Sequence, residues 1–351
     1  MILYRLIANK CIPKYMQIIL LSGGSGKRLW PLSNNIRSKQ FLKLLLSPDG
    51  YRESMLQRIV RQLKYSNIDA EITVATSNVQ EDLIKDQLGE QISIVSEPSR
   101  RDTFPAIALA CSYLAFEKHC SDDEIVVVMP CDAFTDNGYF ETIQLMAEAV
   151  KNGISELILM GIKPTCASEK FGYIVPGGAD IYNECTAYKV SHFVEKPDKI
   201  TAENLIKENA FWNGGVFVFQ LKYMMNIIRT YVSHASFQEI RNHYEAFPKI
   251  SFDYEVVEKA QSISVISFNG KWCDLGTWNS FAKELHGNSI GNIIMDEDSV
   301  NTHIINELDI PVLCVGTENL MVVVSNDGIL VANKEGCENI KNYVDRLNIK
   351  N

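Results

Sequence analysis

Short apolar runs alternate with segments of helical period along most of the chain. Candidate strands fall at 17–22, 71–76, 92–96, 125–130, 156–162, 186–194, 215–220 and 263–268. Between them Met55, Leu56, Ile59, Val60 and Leu63 share one helical face, and Pro105 is placed to open a helix through Ile107, Leu109 and Leu114. Such alternation predicts an α/β fold with a Rossmann-like, mostly parallel sheet covered by helices. Ligands would then gather at the carboxyl ends of the strands. After about residue 288 the pattern changes to short strands separated by polar turns, at 292–295, 311–315, 320–324 and 329–332, before a last amphipathic segment. That tail is too small to stand alone as an enzyme. The expected organisation is an N-terminal extension over 1–15, one large domain over 16–287 and a small β-rich domain over 288–351.

The first strand candidate runs into Leu21-Ser22-Gly23-Gly24-Ser25-Gly26-Lys27-Arg28-Leu29-Trp30-Pro31-Leu32-Ser33. Three glycines in four positions let backbone N–H groups approach an anion, and Lys27 with Arg28 supplies countercharge. The pattern is not a Walker loop, because Leu21 and Ser22 stand where its first glycine would fall and Arg28 where its hydroxyl would. Nor is it a dinucleotide fingerprint, which would need a small residue at Leu29. A tight strand-to-helix turn would use the same glycines, but it would not need the basic pair.

Charge is distributed to match. The first 48 residues hold eight Lys or Arg and no acidic side chain, in a chain of net charge −9. The remaining residues therefore carry 26 basic against 43 acidic groups. Positive charge concentrated at the glycines suits a polyphosphate, whereas the acidic bulk argues against a nucleic-acid surface.

Composition narrows the setting. With 351 residues, 46% of them apolar, the chain can bury a full core. No stretch approaches the roughly 20 apolar residues of a membrane span. Met1 to Tyr15 is basic but lacks the apolar core and cleavage site of a secretion signal, so it reads as an extended or alternative start, with an organelle presequence as the other option. Nine cysteines without a Cys-x-x-Cys pair indicate neither a zinc site nor a disulfide framework, and a reducing cytoplasm fits. Cys131 and Cys273 read as packing residues.

Asp132 sits just past the 125–130 strand, and Asp274 follows the 263–268 strand in a Trp- and Gly-rich turn. Two hard oxygen ligands from separate strand ends are what Mg2+ on a phosphate group requires. Asp132 could instead cap a helix, and Asp274 could stabilise its own turn.

Taken with Lys39-Gln40-Phe41, the glycine loop resembles the signature of sugar-1-phosphate nucleotidylyltransferases. Its Trp-Pro-Leu-Ser extension is similar to the mannose-1-phosphate guanylyltransferase branch. Further segments agree in order: Glu97-Pro98-Ser99-Arg100-Arg101-Asp102-Thr103, Phe171-Gly172-Tyr173-Ile174, Phe193-Val194-Glu195-Lys196-Pro197, Trp212-Asn213-Gly214-Gly215, Phe252-Asp253-Tyr254-Glu255 and Trp272-Cys273-Asp274-Leu275-Gly276-Thr277-Trp278. The resemblance extends over nearly the whole chain from Met16.

The resemblance implies attack by the phosphate oxygen of a sugar 1-phosphate on the α-phosphorus of GTP, with release of pyrophosphate and no covalent enzyme intermediate. It implies a nucleotide site made by Leu21 to Arg28 with Glu97, Arg101 and Asp102. Arg28 and Lys39 would hold the triphosphate, and Asp132 and Asp274 would bind Mg2+. Lys196 would draw in the sugar phosphate, Glu195 and Asn213 would hydrogen-bond sugar hydroxyls, and Gly172, Tyr173 and Gly214 would complete that pocket. Trp212, Trp272 and Trp278 read as packing walls. The C-terminal tail would be β-helix-like and support a homodimer. Two departures from the pattern, Ala133-Phe134 after Asp132 and Asp102-Thr103-Phe104 after Arg101, bear on the choice of base and sugar. Asp102 could pair with the guanine N1 and N2 donors or cap the helix near Pro105. A transferase for another sugar phosphate (heptose or fucose) or another nucleotide is the alternative. A silent nucleotide-sugar-binding regulatory subunit is a second, which the presence of Arg28, Asp132, Lys196 and Asp274 together disfavours.

Overall fold

The computed structural model describes residues 16–24, 27–182, 185–233 and 236–347. The N-terminal extension 1–15 and the loop residues Ser25 and Gly26 lie outside the described residues. A nine-stranded sheet organises the chain, in the order Ser93–Glu97, Ala70–Ser77, Met16–Leu21, Ile125–Pro130, Phe211–Gln220, Leu157–Ile162, Ile263–Phe268, Cys185–Val194 and Tyr173–Tyr182. Seven of these strands run one way, and only Phe211–Gln220 and Cys185–Val194 run against them. The central strands are apolar on both faces, as in Ile125–Pro130 and Leu157–Ile162, because helices cover both sides. One layer packs Met55–Tyr65 and Gly138–Lys151 on the sheet. The other packs Thr103–Phe116 and Leu221–Tyr231.

Local chemistry sets the element ends. Ser54 and Gln57 form a reciprocal capping box that starts the Met55–Tyr65 helix. The helix expected to open at Pro105 begins two residues earlier, at Thr103, because the Asp102 carboxylate accepts the Thr103 N–H and caps it. Tyr173–Tyr182 is a strand that the sequence pattern did not suggest. Its Pro176-Gly177-Gly178 interior is poor strand material, tolerated at the sheet edge where it lies. The expected 215–220 strand begins earlier, at Phe211, and its register shifts between Asn213 and Phe217. Gly215, at φ +70°, sits within that irregularity. No described helix is long and apolar enough to cross a membrane.

Beyond the sheet, Ser289–Ile290, His303–Asn306 and Leu320–Ser325 stack in parallel register, and Ile293–Met295 pairs in parallel with Val312–Cys314 on a second face. This is a short β-helix-like coil. Gly328–Asn333 then turns back antiparallel, and the final helix, Ile340–Leu347, returns to the glycine loop. Leu29 and Leu32 from the loop share one buried cluster with Trp278, Phe281, Ile305, Met321, Val323, Ile340 and Val344.

Polar contacts reinforce the junction. Trp278 Nε1–H donates to the Trp30 carbonyl at 2.9 Å, and Ser325 Oγ–H to that of Pro31 at 3.0 Å. Arg37 makes a bidentate pair with Glu307 at 2.9 and 2.6 Å. The loop is therefore clamped from the side opposite the sheet.

Gly328 closes this clamp. At φ +146° it faces Trp30 so closely that a Cβ would lie 2.6 Å from the indole ring. Gly328→Ala should destabilise the protein by about 1–3 kcal/mol, read from urea unfolding. An unchanged midpoint would show that the junction yields freely.

Candidate active site

The Met16–Leu21 strand delivers the loop at its carboxyl end. The Ser22 N–H donates to the Ala75 carbonyl at 2.9 Å, and the buried Gln40 amide donates to the Ser22 carbonyl at 2.8 Å and to its hydroxyl at 3.2 Å. A Cβ at Gly23 would meet nothing within 4 Å, and one at Gly24 only the Gln40 amide oxygen at 3.8 Å. Neither glycine has positive φ, so internal packing does not explain them. Both border a cavity of about 210 Å³ shared with Lys27, Arg28, Lys39 and Asp132. Leu29 is buried and anchors the turn, while Arg28 is exposed to the cleft.

Asp132 and Asp274 are brought together by a two-stranded ribbon in which Ala133 pairs with Asp274. Lys39 Nζ lies 2.9 Å from Asp132 Oδ2 and 2.7 Å from Asp274 Oδ1. Burial opposes the Lys39 charge, but the two carboxylates outweigh it and hold the ammonium above its ordinary value. Lys39, expected on a triphosphate, bonds both aspartates and occupies a point that both carboxylates can reach. That donor set fits a hard divalent cation, which takes one or two carboxylates and completes its shell with water and phosphate oxygens. Among the described residues no group of three or more His, Cys, Asp or Glu side chains is placed to hold a metal.

The expected sugar-phosphate residues also assemble. Val194 pairs with Tyr173, placing Glu195 beside Gly172, where a Cβ would collide with the Glu195 carboxylate and the Phe193 ring. The Glu195 side chain is only 6% exposed and pairs with Lys196 Nζ at 2.8 Å. Lys196 adopts φ +45°, a left-handed conformation uncommon for lysine. Its ammonium is raised chiefly by the hydrogen bond to Glu195. Asn213 donates from Nδ2 to Asp253 at 2.6 Å and accepts the Gly215 N–H at 3.0 Å, while its own N–H donates to the Gly172 carbonyl at 2.8 Å. A Cβ at Gly214 would lie 3.1 Å from Ile162. Tyr173 is fully buried and its hydroxyl bonds the Ser168 backbone, so its side chain is a support for the pocket wall. A Cβ on Gly215 would touch Pro130 at 3.7 Å, so this cluster adjoins the strand end that carries Asp132.

On the other side of the loop, Leu21, Gly23, Gly24, Glu97, Asp102 and Ala106 border a second cavity of about 220 Å³. Glu97 is buried and accepts the Tyr244 O–H at 2.6 Å, and burial pushes its carboxyl up. The Arg101 guanidinium is turned onto the Phe247 carbonyl at 3.1 Å. Asp102 realises the helix-capping option. Trp278 and Trp212 are buried, and Trp212 packs with Phe171 and Trp272. Cys131 is buried and Cys273 partly so.

A family model described as nucleotidyl transferase matches residues 17–287. The chain belongs to the nucleotidyl transferase family. A mannose-1-phosphate guanylyltransferase of Escherichia coli is 30% identical over 94% of this chain and 75% of its own length. The mannose-1-phosphate guanylyltransferase RfbM of Salmonella typhimurium is 31% identical over 94% and 72%. The alginate biosynthesis protein AlgA of Pseudomonas fluorescens is 31% identical over 94% and 71%. Among solved structures, one from Thermus thermophilus described as a mannose-1-phosphate geranyltransferase superposes with a TM-score of 0.77 at 27% identity, covering 95% of this chain and 99% of that one.

For a nucleotidyl transferase, two side chains acquire importance that sequence reading did not assign. Gln40 locks the start of the loop. Asp253 opens a single π-helical turn, Asp253–Val257, and burial together with the neighbouring Glu195 charge pushes its carboxyl from 3.8 up to about 7. Both stand in the motifs quoted above, but neither has a strand-end position to announce it.

The raised carboxyl makes stability depend on pH. Between about pH 4 and pH 7 the folded protein keeps the Asp253 proton that the unfolded chain has lost, so this contribution is full below the ordinary value and is lost as pH rises through about 7. Urea midpoints should therefore fall between about pH 5 and pH 8, and Asp253→Asn should remove that component. Parallel curves for the two proteins would place the proton elsewhere.

Proposed function

We propose that this chain transfers a guanylyl group from GTP to mannose 1-phosphate, forming GDP-mannose and pyrophosphate. The observation that carries the reading is the Asp132–Lys39–Asp274 cluster, standing between a glycine loop lined with cations and the Glu195–Lys196–Asn213 cluster. The guanylyltransferases that match over most of the chain support the choice of substrates. The loop glycines and Arg28 would hold the triphosphate, and Lys196 the sugar phosphate. The phosphate oxygen of the sugar attacks the α-phosphorus, and the bond to the β-phosphate oxygen breaks with its electron pair leaving on pyrophosphate. Two polyanions must be held in line, so neutralisation and positioning dominate over any proton transfer. Asp132 and Asp274 would hold Mg2+, which when bound supplies charge neutralisation on the reacting phosphates. Lys39, beside both aspartates, would add its charge toward the phosphate oxygens.

A homodimer and a cytoplasmic setting belong to the same reading. Exposed apolar side chains on the C-terminal coil, including Ile294 at 63% and its ladder partner Leu313 at 68%, support the dimer.

Pyrophosphate release measured over five nucleoside triphosphates and several sugar 1-phosphates should be fastest for GTP with mannose 1-phosphate. A preference for CTP, UTP or dTTP would overturn the guanylyl assignment and leave nucleotidyl transfer standing. In that assay Asp132→Asn and Asp274→Asn should each lower turnover at least about a hundredfold without unfolding the protein. Near wild-type turnover at saturating Mg2+ would remove that residue's metal role.

Lys196→Ala should raise the KM for sugar phosphate about tenfold and that for GTP little. Arg28→Ala should do the reverse. Equal proportional losses in both constants for both variants would refute this division.

A further inference from the structure

The final helix does more than cover the core. Ile340 and Val344, one turn apart on the same face, are buried in the cluster that contains Leu29. Lys341 flanks that apolar stripe and reaches the lining of the phosphate cavity, together with Gly23, Gly24, Lys27, Arg28 and Lys39. The position of this lysine relative to the glycine loop is thus fixed by packing between the helix and the loop itself.

We propose that Lys341 is a polyphosphate-binding residue that contacts the two phosphates leaving as pyrophosphate, so that the C-terminal segment completes the nucleotide site. The assignment rests on reading this cavity as the triphosphate site. Direction along the cavity supports it. Asp132 borders the sugar-phosphate cluster, whereas Lys341 lies on the Leu29 side, on the helix packed there. In-line displacement sends the leaving group away from the nucleophile, toward that second end. Charge supports it too. Lys341 is a fourth cation on a cavity already lined by Lys27, Arg28 and Lys39, of which Lys39 shares its charge with two carboxylates. Lys341 takes no covalent part: it neutralises the β-phosphate oxygen that receives the electron pair.

The test uses the full chain with Lys341→Ala, Lys341→Arg and Lys341→Glu. Calorimetry with inorganic pyrophosphate and steady-state kinetics with GTP and mannose 1-phosphate are the readouts, with thermal unfolding alongside. The alanine variant should weaken pyrophosphate binding and raise the GTP KM by about fivefold to tenfold. The mannose 1-phosphate KM should stay within about twofold and Tm should hold. Arginine should restore most of the loss, glutamate should deepen it, and the difference should shrink at high salt. Unchanged pyrophosphate affinity in the alanine variant would overturn the proposal. So would equal losses on both substrates, or failure of arginine to rescue, since either marks a packing defect. A wild-type protein that binds pyrophosphate but does not use GTP with mannose 1-phosphate would remove the guanylyl reading and leave the Lys341 assignment standing.

Discussion

Two carboxylates held at one point in a partly enclosed cleft repel each other, and the rest of this site depends on how that repulsion is met. Lys39 meets it by lying within hydrogen-bond distance of both Asp132 and Asp274. The same short turn performs two further tasks. Gln40 ties down the start of the glycine loop, and Phe41 is buried in the main core. Three consecutive side chains thus couple the acidic pair, the loop and the sheet, so a shift in any one is felt by the others. An ammonium between two acid groups also avoids leaving bare like charges together in the cleft.

The loop is held from two directions, and these differ in kind. On the sheet side it is fixed at Ser22, by a backbone hydrogen bond to the neighbouring strand and by the Gln40 amide. On the far side it is fixed by Trp278 and by side chains of the C-terminal segment: Ser325, Glu307 and the Ile340–Val344 face. A glycine-rich loop has a high conformational entropy to lose on ordering. A second surface that immobilises the residues just after it, Trp30 to Arg37, limits that loss before substrate arrives. This gives the C-terminal coil a function in the site even though most of its residues lie far from the cleft.

Much of this was legible in the sequence. Buried strands announce themselves by length and β-branched content, as at Ile125–Pro130, and strand-end aspartates by position. The glycine loop was legible because glycines and cations coincide. The strand Tyr173–Tyr182 was not, because its Pro-Gly-Gly interior reads as a turn and only pairing with Cys185–Val194 and, at its first residues, with Phe211–Gln220 makes it a strand. Nor was the Lys39 bridge, since it joins residues 235 positions apart in the chain. Asp253 escaped for a third reason. Its unusual carboxyl is a property of enclosure beside Glu195, which no local pattern encodes.

The cavity beside Glu97 shows how a cleft wall can be built from polar groups that hold the wall itself. Glu97 accepts from Tyr244, Arg101 donates to the Phe247 carbonyl, and Asp102 caps the Thr103–Phe116 helix. Each of these polar side chains stabilises the wall in which it sits. Of the three, Asp102 keeps the most unsatisfied capacity, because a carboxylate has about four acceptor sites and the cap uses one. Its backbone stands at φ +74°, a conformation a non-glycine residue holds only where surroundings demand it. The cap ties this carboxylate to the first turn of the helix, and the residue lines the cavity. Helix capping, one of the two readings the sequence left open for Asp102, is thus realised in the structure, and it leaves acceptor capacity on a residue that lines the cavity.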